Sequence, residues 1–476
     1  MQLILIKRHV CPAGPCCLYC ADEKVYGEHV LQASGKKREK ILFGMGFFLY
    51  LLRTCKRHVG ASAAQSESRL PASRLCLKLT AAACVALAGS LVSTPSLAGT
   101  LQPFVSAGVD HDDNLFRASN DEATRSAARG DTYRSAGGGV RFERPVSRQL
   151  ITAFADFSSV KFDRNSQLDY LRKDLRGDWH WFVGSRFDGH VGGYYRQELA
   201  SFADFDVVQR NLRVSKKRYA DGRWRFHPSW QLRSEVSKEE YAYELASQRA
   251  SDRTEDSWVA GFDYLARSGS TAGFQLRRLE GKYPNWLTLG NTGTMINGYD
   301  QDEAKLNVLW LATGSTQMLF LGGWVQRKQM GQSTRDDSGT NARLIVNYTP
   351  AGKVKVTGQA WREFAAIDGA LIGSALANGA SALVTWEVTS KIQAELDVRH
   401  EEREFKPFGG AAQPVVAADL ASDSRDTKSV ALVYKPLRNI TIKARAFQEQ
   451  RSGSLAAGTN SYKANGGSIN ATLQFN

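Results

Sequence analysis

Between Gly99 and Asn476 apolar and polar residues alternate in runs longer than eight residues. Leu171, Lys173, Leu175, Gly177, Trp179 and Trp181 share one parity, and Arg172, Asp174, Arg176, Asp178 and His180 share the other. Ala220, Gly222, Trp224 and Phe226 stand against Asp221, Arg223, Arg225 and His227 in the same way, as do Ile392, Ala394, Leu396 and Val398 against Gln393, Glu395, Asp397 and Arg399. Successive side chains leave a pleated strand on opposite sides, so this period writes strands with one apolar and one polar face. Short turn signals join the strands at Pro145–Arg148, Val183–Ser185, Pro228–Ser229, Ser268–Ser270, Thr313–Ser315, Pro350–Gly352, Thr389–Lys391 and Pro436–Asn439. They recur every 37 to 47 residues, with longer polar stretches between them at 111–130, 240–256, 280–302, 364–380 and 401–426.

Tight turns alternating with long loops are the asymmetry of an outer-membrane barrel. Eight hairpins, a first strand near 101–110 and a last near 464–476 predict an all-β fold, a transmembrane antiparallel β-barrel of about 18 strands, within 16–20. No run of 18 apolar residues interrupts the chain, so no membrane helix is written; the nearest approach, Gly46–Leu52, is short and ends on Arg53. A soluble sandwich would have shorter strands and no reason to gather aromatics beside turns. Here Trp179, Trp181, Trp224, Phe226, Trp230, Trp310, Trp324, Tyr348, Trp386 and Tyr434 lie on the apolar parity, many of them close to a short turn. Ile469, Ala471, Leu473 and Phe475 alternate with polar residues to the last position, which predicts a closing strand of the kind read by the barrel-assembly machinery.

All seven cysteines precede residue 85, and the 392 residues after Cys84 have none. A chain that crosses an oxidising compartment without needing disulfides avoids stray thiols, which points to a boundary between the two parts. Arg69, Arg74 and Lys78, the apolar run Leu79–Leu91 and the small residues of Ser96-Leu97-Ala98 make residues 69–98 a signal peptide, cleaved between Ala98 and Gly99. Residues 1–68 are basic and patternless. The preferred reading is an over-extended frame, with Leu70 as an attractive start; the cysteines at 11, 16, 17 and 20 lack the paired His or Cys of a zinc site. Residues 99–476 are then the barrel. Residues 1–98 hold 13 of the 62 basic and 5 of the 48 acidic residues, so the barrel's net charge is +6 where the whole chain's is +14. The basic balance that would suggest nucleic acid is mostly leader.

The clean alternations turn Arg172, Arg176, Arg223, Arg225, Arg233, Arg277, Lys305, Arg343, Lys355, Arg399, Lys443 and Arg445 toward the lumen, against Asp174, Asp178, Asp221, Glu235, Asp263, Glu387, Glu395 and Asp397. Two outcomes are open: a cationic path that draws in anionic solutes, or a wall neutralised by cross-strand ion pairs. Asp110, Asp112, Asp113 and Asn114 lack the spaced ligands and the glutamate of a calcium loop, so no metal is expected. Tyr194, Tyr195 and Trp361 are candidates for stacking on sugars. No phosphate loop, nucleophile elbow or zinc spacing occurs. His400 falls on apolar parity with no serine to set beside it, and neither an enzyme nor a cofactor is expected.

The first strand followed by the segment Asp112-Asp113-Asn114-Leu115-Phe116-Arg117, the turn-linked strands and the C-terminus resemble the EpsL-like proteins, β-barrel porins of exopolysaccharide-biosynthesis operons. The resemblance spans about 101–476, and the DDNLFR segment is its most specific piece. It implies a bacterial outer-membrane channel taking part in exopolysaccharide export, with the polysaccharide, outer-membrane lipid or lipopolysaccharide, the barrel-assembly machinery and a periplasmic export partner as its contacts. A general or small-anion porin is the alternative, and a non-conducting surface scaffold a further one.

Overall fold

The computed structural model describes residues 100–119, 129–203, 208–289, 294–330, 336–365, 372–407, 422–454 and 459–475. The extension 1–68, the leader 69–98 with its Ala98/Gly99 cleavage site, and Asn476 lie outside the described residues.

Eighteen strands follow one another. They are β1 (Leu101–Asp112), β2 (Asp131–Val146), β3 (Gln149–Phe162), β4 (Tyr170–Val183), β5 (Phe187–Leu199) and β6 (Leu212–His227). Then come β7 (Trp230–Tyr243), β8 (Arg253–Leu265), β9 (Thr271–Leu289), β10 (Thr294–Thr313), β11 (Thr316–Gln329) and β12 (Asp337–Ala351). The last are β13 (Val354–Ala365), β14 (Ile372–Glu387), β15 (Ile392–Pro407), β16 (Ser422–Leu437), β17 (Ile440–Ser452) and β18 (Tyr462–Gln474). Each pairs antiparallel with its neighbours in sequence, and β1 also pairs with β18, from Phe104 opposite Gln474 to Asp112 opposite Gly466. Closure leaves no strand edge with unpaired backbone groups, as a bilayer core demands. Phe475 donates its N–H to Pro103 O and finishes the seam at the short-turn end.

All eight short turns fall where the turn signals stand. Gly184 (φ 60°) and Gly269 (φ 85°) supply left-handed backbone in two of them, a conformation glycine adopts without a Cβ clash. The opposite end departs from expectation. β9 runs to Leu289 and β10 begins at Thr294, so most of 280–302 is strand rather than loop. Likewise β15 extends to Pro407 and β16 begins at Ser422 inside the stretch 401–426. These strands rise past the apolar band, where the strict hydropathy alternation lapses although backbone pairing continues.

The outward face is apolar. Val105, Phe157, Leu171, Val191, Leu232, Phe274, Leu306, Phe320, Leu344, Leu396, Val430 and Ile469 are all exposed large hydrophobics, one of them 62% accessible. Such a surface has no soluble rationale in a closed barrel and fits a lipid contact. Trp179, Trp224, Phe226, Trp310, Tyr348, Trp386 and Tyr434 ring its short-turn end, and Phe187 stacks on Trp224 at 5.8 Å there. Trp324 instead sits eight positions up β11 from Thr316, opposite Ala304 and Thr340. A closed antiparallel barrel with an apolar exterior and a charged interior is built for the bacterial outer membrane, and the chain is an outer-membrane β-barrel.

Candidate functional site in the barrel lumen

Strand parity carries every expected lumen cation to the inner wall. Most of them meet a carboxylate there. Arg172 pairs with Asp156 at 3.2 Å, Arg176 with Asp174 at 2.6 Å, Arg233 with Asp263 at 3.1 Å and Arg277 with Glu303 at 3.2 Å. Arg399 pairs with Glu401 at 2.6 Å and Lys443 with Glu395 at 3.0 Å; Arg223 contacts Asp188, and Arg343 contacts Glu363. Arg225 and Arg445 have no ion pair among the described residues; Arg445 stands 5.8 Å over the Phe447 ring.

Above this level the wall of β5 to β11 becomes one connected polar network. The Tyr194 and Tyr241 hydroxyls both donate to Glu239 Oε1, and Arg253 lies 4.0 Å over the Tyr241 ring while its Nε donates to Glu255 at 2.8 Å. The Tyr299 hydroxyl donates to the same Glu255 oxygen at 2.8 Å, and Arg327 lies 3.5 Å over the Tyr299 ring. Arg327 also reaches Gln301, which bonds Glu303, the shared partner of Arg277 and Lys305. Networks of this kind hold side chains in one arrangement because each unpaired member would be costly.

The segment Asp112–Arg117 closes the outer end of the seam. Asp112 Oδ1 accepts the Asn114 N–H at 2.9 Å, and Arg117, at φ 54°, donates to Asp112 Oδ2 at 2.8 Å and lies 3.5 Å from Glu449. Asn114 donates to Ala118 O and Lys463 O at 3.0 Å each, while Asp113 receives the backbone and side-chain N–H groups of Asn465 at 2.6 and 2.9 Å. Every polar side chain of the segment therefore has a structural partner. Leu115 and Phe116 turn inward onto an apolar cluster of Val160, Phe162 and Leu168, with Tyr133, Tyr170, Leu199 and Phe202 around it. Phe116 meets Phe202 edge-on at 5.0 Å.

Phe202 lies in the segment between β5 and β6, and a second contact fixes that segment from far around the barrel. Arg451 Nη1 on β17 donates to Ala203 O, a span of six strand steps through β18, β1, β2, β3 and β4 to β5. Arg451 is itself set by Asp423, whose wholly buried carboxylate also takes both forks of Arg403, at 2.8 and 2.7 Å. The residues that brace the outer mouth were thus missed by sequence reasoning, which had assigned Arg403 and Asp423 to a loop. Continuing the strand parity of β15 past the apolar band would have turned Arg403, like Arg399, inward.

The sugar-stacking candidates come apart. Tyr195 faces outward beside Lys216, on the parity of Val191, so it lines no channel. Tyr194 and Trp361 do face the lumen, but Arg196 lies over the Tyr194 ring at 5.8 Å, and Arg399 and Arg343 lie over Trp361 at 4.6 and 5.8 Å. His400 points outward and bonds Asp426 through Nδ1 at 2.9 Å.

No family model matches the sequence, and no curated protein matches it. Solved structures do. The chain is similar to the outer membrane protein OpdK from Pseudomonas aeruginosa at 9% identity and TM-score 0.43, over 79% of this chain and 98% of that one. It is also similar to OccAB3 of Acinetobacter baumannii at 11% identity and TM-score 0.41, over 79% and 99%. For OccK2 (OpdF) of Pseudomonas aeruginosa the identity is 8% and the TM-score 0.44, over 79% and 97%. The class itself rests on the chain's own strands: an 18-stranded outer-membrane β-barrel of porin-like architecture.

Proposed function

We propose that the protein is a passive channel for small polar solutes whose outer mouth is narrowed by two inward-folded segments. Barrels of about 16–18 strands leave an aqueous bore unless something enters it. The observation that carries the reading is the contact of Phe116 with Phe202 over the Val160–Phe162–Leu168 cluster, tied from the far wall by Arg451 to Ala203. The paired wall argues for weak charge selectivity, since an arginine already bonded to a carboxylate attracts little more. A modest preference for anions would come from Arg225 and Arg445. Reconstituted protein in a planar bilayer should conduct, with a reversal potential near zero in a salt gradient, and Phe116→Ala/Phe202→Ala should raise the unit conductance. Silence from both proteins would refute the channel.

Export of an exopolysaccharide, which the family resemblance implies, makes a different demand. A glycan would have to part the Phe116–Phe202 contact and would find the Trp361 and Tyr194 rings covered by guanidinium groups. Deletion of the gene separates the readings. Loss of surface polymer would favour export, and unchanged polymer with slower uptake of small solutes would favour the porin; a non-conducting scaffold would bind polymer on intact cells and pass no current.

A further inference from the structure

On the outward face of β4 to β7, cations gather at one height. Lys173 on β4 lies opposite Gln197, Lys216 and Arg218 on β6 lie opposite Tyr195 and Gly193 of β5, and Arg218 directly faces Lys238 of β7 across the ladder. Like charges in directly opposed positions destabilise a sheet unless something neutralises them. Only Lys238 has an ion-pair partner, Asp256 at 3.8 Å. Lys173, Lys216 and Arg218 have none among the described residues; Lys216 lies 6.0 Å over the Tyr195 ring and faces Glu240 without pairing. Four cations against Glu240 and Asp256 leave the patch positive by two. Elsewhere on the outer face Arg134 is answered by Asp163 and Arg278 by Glu280, Asp300 and Asp302.

Height decides what the patch meets. From Val183, beside the short turn, to Lys173 the strand climbs ten positions, about 33 Å along a strand and roughly 25 Å along a barrel axis tilted by about 40°. That is the height of the apolar band of such barrels, so these side chains stand at the headgroup level on the long-loop side, the outer leaflet. Below them the wall is apolar, with Leu175, Val191 and Ala220 leading down to Trp179, Phe187 and Trp224. A lipid seated there would lay its chains on this wall and its headgroup on the cations.

We infer that Lys173, Lys216 and Arg218 hold the phosphate of a phosphorylated outer-leaflet lipid of the lipid A kind against β4–β6. Charge complementarity selects this occupant, since arginine and lysine bind phosphate oxygens by charge-assisted hydrogen bonds. The inference does not depend on conduction. Native mass spectrometry of detergent-purified protein with added bis-phosphorylated lipid A, its dephosphorylated form and phosphatidylethanolamine reads it out. Each cation near a charged lipid surface contributes about fivefold in affinity, so K173Q/K216Q/R218Q should lose on the order of a hundredfold for the phosphorylated lipid. Lys428→Gln on β16 should change nothing, and Arg218→Lys should retain most of the binding. Heat-modifiable gel mobility shows whether the triple variant is folded; if it is not, Arg218→Gln alone should lose about fivefold. Equal binding by the folded variant, equal binding of the dephosphorylated lipid, or displacement by millimolar inorganic phosphate (a free-anion site) would each overturn the inference.

Discussion

Asp423→Asn is the most informative single substitution. The Asp423 side chain is fully inaccessible, Arg403 donates to it at 2.8 and 2.7 Å, and Arg451 Nε donates at 2.6 Å. Asparagine keeps the shape but replaces one acceptor oxygen with an N–H group aimed at a guanidinium, and it takes from two nearly inaccessible cations the carboxylate charge they share. Breaking a buried pair by removing one partner costs about 3–5 kcal/mol, because the orphaned charge stays buried. Asparagine still accepts one hydrogen bond worth about 1 kcal/mol, so a loss of about 3 kcal/mol is expected. Urea unfolding of the reconstituted barrel, followed by gel mobility and tryptophan fluorescence, measures it. Arg134→Ala is the internal control: that pair with Asp163 is largely exposed, and its loss should cost less than about 1 kcal/mol. In the cycle with Arg451→Met, the double variant should be less destabilised than the sum of the singles, since it removes one of the stranded charges. A cost for Asp423→Asn as small as that for Arg134→Ala would refute the claim that this carboxylate organises the mouth.

Leu306→Arg, on the lipid face of β10, should destabilise the reconstituted barrel by about 2–4 kcal/mol, and the same change at a lumen position should not. Gly281→Ala brings a Cβ to within 2.3 Å of the Tyr299 ring, which is itself buried; a loss of about 1–3 kcal/mol in the same urea assay is expected, relieved by Tyr299→Leu. Arg117→Ala removes the charge-assisted bond to Asp112 and the contact with Glu449, and should cost about 1.5–3 kcal/mol and speed proteolysis of residues 113–130. Unchanged protease sensitivity there would show that the DDNLFR segment is held without Arg117, by the Asp113 and Asn114 hydrogen bonds and the apolar contacts.

Much of the barrel was legible because two local signals suffice for it. Pleating turns alternate residues to opposite faces, so Leu171 to Trp181 and Ile469 to Leu473 declared their lipid side without knowledge of any neighbour. Turn chemistry marked all eight short connections, since positions such as Gly184 need a backbone most residues avoid. Strand number followed from counting, and parity alone carried Arg172, Arg233 and Lys443 to the inner wall. Only tertiary structure decided what those cations do there, because Lys443 lies two strands from Glu395 and Arg451 six strands from Ala203. It also decided that the strands run on past the apolar band, where the strict alternation lapses although pairing continues. The roles of Asp423 and Phe202 come from a closed barrel bringing distant segments to one mouth, and no local pattern encodes that approach.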